Sequence, residues 1–113
     1  MTSSTSGVER IAELNDLART AMGVASRLVM TPGIATMSAN NQSRIRECVE
    51  RFNDFSEDND PYGEHDFGAF DFEGQRIFWK VDCYNKTLDC ASPDPTDPSV
   101  TVRVLTIMLA SEY

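Results

Sequence analysis

Apolar positions recur along the first half of the chain at three- and four-residue steps, and along part of the second half at steps of two. Val8, Ile11, Leu14, Leu17, Ala18 and Ala21 follow the first rhythm, which predicts an amphipathic helix over roughly 7–22. Ser6-Gly7-Val8-Glu9 matches a capping box at its start, and Gly23 is placed to stop it. Arg27-Leu28-Val29-Met30-Thr31 is a short apolar run, expected as a buried strand. Pro32-Gly33 after it reads as a type II turn, and Ile34-Ala35-Thr36-Met37 as a second short extended piece. A second helix begins at Ser38 or Asn40. Its inward stripe is Ile45, Cys48, Val49, Phe52 and Phe55, with Arg44, Arg46, Glu47, Glu50 and Arg51 outward. Glu47 and Arg51 form an i,i+4 pair of the favoured polarity.

The period-two rhythm defines a β-hairpin. Asp66 to Phe72, then Glu73-Gly74, then Gln75 to Tyr84 reads as two strands around a two-residue turn. That register sets Phe70 opposite Ile77, Gly68 opposite Trp79 and Asp71 opposite Arg76. The indole then lies across a residue without a side chain. Gly68, Phe70, Phe72, Ile77, Trp79, Val81 and Cys83 share the face assigned to the core. A four-residue connection, Asn85 to Leu88, places Cys83 opposite Cys90, where a bridge is conceivable but reduced in a reducing compartment. Asp97 and Pro98 give a cap and a first helical position. The apolar run Val100, Val104, Leu105, Ile107, Met108, Leu109 is therefore expected as a terminal helix, although its β-branched content also suits a strand. Such a helix must be buried in the domain or in a partner. The fold expected is α+β: a small antiparallel sheet, with the central hairpin at about 65–84, and about three helices packed on one face. Residues 1–6 are read as a disordered tail before a single domain over 7–113.

Charge sharpens this picture. The chain has 113 residues and a formal net charge of −8. Residues 1–51 carry six arginines against five acids, and residues 76–113 carry four basic against five acidic groups. The excess therefore lies in residues 52–75, where Asp54, Glu57, Asp58, Asp60, Glu64, Asp66, Asp71 and Glu73 meet no Lys or Arg. Such a window repels phosphate and argues against direct nucleic-acid binding, while attracting a basic surface. The plainer reading is a solvated loop that keeps a small protein soluble. No apolar run approaches the ~20 residues needed to span a bilayer, so no membrane association is expected. The N-terminus lacks the basic start and apolar stretch of a signal peptide. Three cysteines leave at least one unpaired, which favours a cytoplasmic location.

Candidate chemistry centres on the same window. His65, the only histidine, falls opposite Asp82 if the hairpin register extends that far. This is a possible general-base dyad, with Asp60, Glu64 and Asp66 nearby for a hydrolase-like or metal site. The plainer reading is a histidine bonded to a carboxylate for structural reasons. Asp58-Asn59-Asp60-Pro61-Tyr62-Gly63-Glu64 resembles a cation loop but fails the EF-hand pattern: counted from Asp58, the fifth position is Tyr62 and the twelfth is Ala69. A non-EF cation site stays open. Cys48, Cys83 and Cys90 have no CxxC spacing, so a zinc site is weakly supported, and Cys48 is expected as a buried small apolar residue. There is no Walker loop, GxGxxG or Gly-x-Ser-x-Gly elbow, and no cofactor is expected.

Phe52-Asn53-Asp54-Phe55, the run Glu57-Asp58-Asn59-Asp60-Pro61-Tyr62-Gly63-Glu64-His65-Asp66-Phe67-Gly68, the segment Arg76 to Asp82 and the ending Val104 to Tyr113 together resemble a family of short bacterial domains of unknown function. The resemblance covers about residues 8–113, and the cysteines are not part of its pattern. It supplies no catalytic residues. It implies a bacterial cytoplasmic protein of a kind often carried on plasmids and other mobile elements, a setting whose small acidic proteins include anti-CRISPR and anti-restriction inhibitors. The function expected is a non-enzymatic interaction protein. Glu57, Asp58, Asp60, Tyr62, Glu64 and Asp66 would dock on a basic surface of a nucleic-acid-handling protein. The alternative is a small enzyme or metal-binding domain centred on His65, with Asp82 and the neighbouring carboxylates. A structural subunit docking through its terminal helix, and a homodimer, also remain open.

Overall fold

The predicted hairpin forms as read. In the computed structural model, which describes residues 7–113, β2 (Phe67–Phe72) and β3 (Gln75–Tyr84) pair antiparallel with Gly68 opposite Trp79, Phe70 opposite Ile77 and Asp71 opposite Arg76. The turn residues Glu73 and Gly74 both have positive φ, 49° and 81°, as primed hairpin turns require. Arg76 and Asp71 form the expected ion pair at 3.2 Å. A Cβ on Gly68 would overlap the ring of Trp79. The glycine is thus the space the indole occupies.

The rest of the molecule assembles on this hairpin. A helix α1 (Gly7–Thr20) leads to an edge strand β1 (Arg27–Met30), a one-turn helix α2 (Pro32–Ala35) and a longer helix α3 (Ala39–Arg51). After the hairpin, a 3-10 turn at Pro98–Val100 precedes β4 (Val102–Leu109) and a last 3-10 turn at Ala110–Glu112. The sheet order is β1-β4-β3-β2, with β1 parallel to β4 and the other pairs antiparallel. The fold is α+β, and the sheet is mixed rather than purely antiparallel. Trp79, Ile77, Val81, Leu105, Ile107 and Phe72 meet Ala18, Ile34, Ile45 and Val49 from the three helices in one core.

The largest departure from expectation is the C-terminal segment, which is a strand and not a helix. The cap is real, since Asp97 accepts from the Ser99 amide at 2.9 Å, but it opens only one turn. β4 then lies between β1 and β3 and satisfies its backbone on both edges. A central strand rich in β-branched and aliphatic residues reads as a nearly continuous apolar run, as a buried helix does. Docking through a terminal helix is excluded with it.

Smaller corrections share one cause, which is that edges and polar tethers are invisible to hydrophobic pattern. β1 is an edge strand with Arg27 and Val29 exposed, not a buried one. Pro32-Gly33 starts α2 instead of making a turn, because Pro fits the first helical position after Thr31, so Ile34-Ala35-Thr36-Met37 is not extended. Ser6 of the expected capping box lies outside the described residues. α1 ends at Thr20 and presents Ala12, Leu14, Asn15, Ala18 and Arg19 inward, leaving Val8 and Leu17 exposed. Ser38 caps α3 by accepting from the Asn41 amide, and Ile45 and Val49 are its buried pair, whereas Cys48 is exposed. The connection after β3 runs Asn85 to Cys90, two residues longer than expected, because the Asn85 side chain accepts from the Asp89 and Cys90 amides. Tyr84 therefore bridges Ala91, Ser92 lies beside Cys83, and all three cysteines are free.

Glu112 closes the fold. Its carboxylate accepts from the Thr31 hydroxyl at 2.6 Å, the Gly33 amide at 2.8 Å and the Leu109 amide at 3.0 Å. These bonds, the Thr31 hydroxyl foremost, hold its pKa below the ordinary carboxylate value. The stabilisation is complete above the ordinary value of 4.5 and is lost as pH falls through the depressed folded-state value. Glu112→Gln should therefore lower the melting temperature at pH 7, with the gap to wild type narrowing in acid. A gap that stays constant with pH would contradict the assignment. At the hairpin, Gly68→Ala should cost about 1–3 kcal/mol in urea unfolding, because the indole cannot retreat within a filled core.

Candidate functional site

The acidic segment between α3 and β2 is tethered rather than free. Its first half folds on itself: the Ser56 amide donates to the Asn59 side chain at 2.8 Å, and Asn59 donates back to the Asp54 carbonyl at 2.7 Å. Its second half is held by His65. The imidazole Nδ1 lies 2.9 Å from Asp16 on α1, its ring stacks on Phe55 with centroids 3.8 Å apart, and its backbone amide donates to the Asp60 carboxylate. His65 has φ of 54°, a left-handed conformation that histidine tolerates better than most residues and that steers the chain out of the strand.

Asp16 also accepts from Arg19 at 2.7 Å. Arg19, only 3% exposed, donates through Nη1 to the carbonyls of Val49 and Phe52, closing the C-terminal end of α3. Its guanidinium sits 4.8 Å from the Trp79 ring and 5.4 Å from Phe55. One buried cation thereby joins α1, α3, the core indole and, through Asp16 and His65, the acidic segment.

The eight carboxylates fall into three groups, with Asp54 exposed like Glu57 and Asp58. Asp71 pairs with Arg76, Glu73 pairs with Arg44 at 2.9 Å, and Asp60 is only 8% exposed with its oxygens on the His65 amide. These three serve the fold. Glu57 and Asp58 are exposed, as is Tyr62 at 79%. Neither Glu57 nor Asp58 has a basic partner among the described residues. Glu64 and Asp66 are half-buried and line a crevice of about 210 Å³ with Asn15, Val81, Asp82 and Cys83. Burial, then Asp66 and Asp60, raise the pKa of Glu64; burial, then Asp60 and Asp82, raise that of Asp66. These groups repel one another where water screens them poorly.

The catalytic alternative finds no assembled site. The cross-strand ladder ends at Phe67 and Lys80, with only the Asp66 carbonyl continuing it to the Val81 amide. His65 turns towards α1, and Asp82 pairs with Lys80 at 2.8 Å, so the expected His65–Asp82 dyad does not form. The imidazole is occupied on Nδ1 by Asp16, has Asp60 3.7 Å from Nε2, and is covered by Phe55. Burial raises the pKa of the Cys83 thiol, which makes it a poor nucleophile. Among the described residues no group of three or more His, Cys, Asp or Glu side chains is arranged to hold a metal ion. No helix among them is long and apolar enough to cross a membrane.

Sequence reasoning missed Asp16, Arg19 and Asn15, which hold the site in place. Asn15 is buried, donating to the Glu64 carbonyl at 2.9 Å and accepting from Arg103 at 2.8 Å. The available signal was a polar pair four residues apart, Asn15 and Arg19, interrupting the apolar side of a helix.

No curated protein and no solved structure matches the chain. A family model described as a protein of unknown function (DUF3768) matches residues 30–112, from the last residue of β1 through the final turn. That span covers most of the sequence, and the chain belongs to the DUF3768 family.

Proposed function

We propose that this is a small acidic, non-enzymatic interaction protein that docks the 56–66 segment on a cationic surface of a nucleic-acid-handling protein. In its specific form it is a cytoplasmic bacterial counter-defence inhibitor, of anti-CRISPR or anti-restriction type, that occupies a DNA- or RNA-binding groove. One observation carries the reading: Tyr62 projects into solvent from a tethered loop whose carboxylates Glu57 and Asp58 have no basic partner among the described residues. An exposed aromatic held without much conformational freedom is a suitable anchor, and surrounding negative charge steers a basic partner. The raised pKa values of Glu64 and Asp66 add to it. A cationic surface over the crevice would relieve repulsion that the isolated fold carries. Asp60, buried under the His65 amide, supports the loop and is not one of the contacts.

The test begins with capture of partners from a bacterial lysate at low salt, followed by titration of the purified partner with and without competing DNA or RNA. Wild type should bind in competition with nucleic acid, with affinity falling as salt rises. The triple variant Glu57→Gln, Asp58→Asn, Glu64→Gln should bind at least about tenfold more weakly, roughly the worth of a few desolvated charge contacts. Unchanged affinity of that variant at low salt would end the reading. Loss of binding cannot be put down to unfolding if stability is followed in parallel. A carboxylate with a raised folded-state pKa costs stability above that value and ceases to do so as pH falls below its ordinary one, so Glu64→Gln alone should melt no lower than wild type at pH 7.

A further inference from the structure

Arg103 is the one charge within the apolar run of β4, and it is 6% exposed. Its Nε donates to Asn15 at 2.8 Å and its Nη2 to the Pro95 carbonyl at 2.6 Å, both neutral acceptors. No carboxylate pairs with it among the described residues. Burial lowers its pKa, and a second cation, Arg10, adds to that. A buried guanidinium without a counter-ion is a costly arrangement. Arg19, the other buried arginine, has Asp16.

Arg103 opens onto two adjoining cavities of about 280 and 260 Å³ that share Val24, Ala25, Lys86 and Thr101. Neither is lined by an Asp or Glu, although the protein as a whole is strongly acidic. Lys86 is exposed and makes no ion pair among the described residues; Asp97, the acid near enough to feel its charge, is already used in capping Ser99. Arg27 lines the second cavity. The wall also carries apolar side chains beside Thr101 and Ser26: Leu17 is exposed, and Val24, at 91%, is the most exposed large hydrophobic residue described.

We propose that this end of the sheet is an anion site for a small molecule carrying a phosphate or carboxylate beside an apolar body. Arg103 and Lys86 hold the oxyanion, and Leu17 and Val24 cover the apolar part. The ligand supplies the counter-charge that Arg103 lacks, and its binding stabilises the folded chain by mass action. The site is separate from the acidic loop and does not depend on that loop's role.

The experiment is an amide-resolved NMR titration of the full chain with inorganic phosphate, phenyl phosphate, acetate and isovalerate, at ionic strength matched with sodium chloride. Saturable shifts should cluster at Val24 to Arg27, Lys86 and Thr101 to Arg103. The probe with an apolar body should saturate at lower concentration than its bare oxyanion. Response to the phosphate pair or to the carboxylate pair identifies the source of the oxyanion. Lys86→Gln, which breaks no hydrogen bond or ion pair among the described residues, should weaken binding about threefold or more, on the scale of one partly exposed charge contact. Arg103→Gln should abolish it, and if that variant does not fold, Val24→Asp serves in its place. Absence of saturable shifts at these amides, or shifts unaltered by Lys86→Gln, would overturn the proposal.

Discussion

The guanidinium of Arg19 is the point on which the described structure converges. It lies against the indole of Trp79, closes the carbonyl end of α3 and donates to Asp16, which in turn holds His65. Each contact alone is modest, because hydrogen bonds and cation–π contacts contribute of the order of 1 kcal/mol each. Their sum is not the relevant quantity. With Arg19 in place, two helices, the core and the acidic segment share one geometry, and the loss of any partner leaves a charge buried.

That geometry makes the acidic segment a display instead of a coil. Eight carboxylates in a window without cations would ordinarily drive a chain apart. Three of them are taken into the fold by Arg44, Arg76 and the His65 amide. What remains outside is a smaller set, Asp54, Glu57 and Asp58 with the exposed Tyr62, and Glu64 and Asp66 in a crevice. A preordered loop loses little freedom on binding, which is why the proposed interface would need little beyond charge and one aromatic anchor.

Much of the architecture was legible locally. The hairpin register was readable because a two-residue turn fixes it and a Cβ at position 68 would overlap the indole, although the first strand starts at Phe67 and not at Asp66. α3 was readable from Ser38 and the spacing of Ile45 and Val49. β4 was not, because a capped, apolar, β-branched run is the same string whether it becomes a central strand or a buried helix, and only its neighbours decide. The candidate site divides in the same way. Its charge was visible as composition. The split between carboxylates that serve the fold and those that face outward was legible only in part. The hairpin register gave Asp71 and Arg76, whereas Glu73 pairs with Arg44, 29 residues away, and the tether itself joins Asp16 to His65, 49 residues apart. Asn15, Arg19 and Arg103 were hidden for a related reason: a polar residue turns inward only when distant carbonyls or amides await it.

The central claim is that the acidic loop is held rigid by the Asp16–His65–Asp60 tether. Backbone ¹⁵N relaxation of residues Glu57 to Gly63 tests it most directly. Order parameters near the ~0.85 of rigid backbone, matching those of β3, are expected. Values below about 0.6 across the loop, with β3 rigid, would show a mobile acidic coil and contradict it.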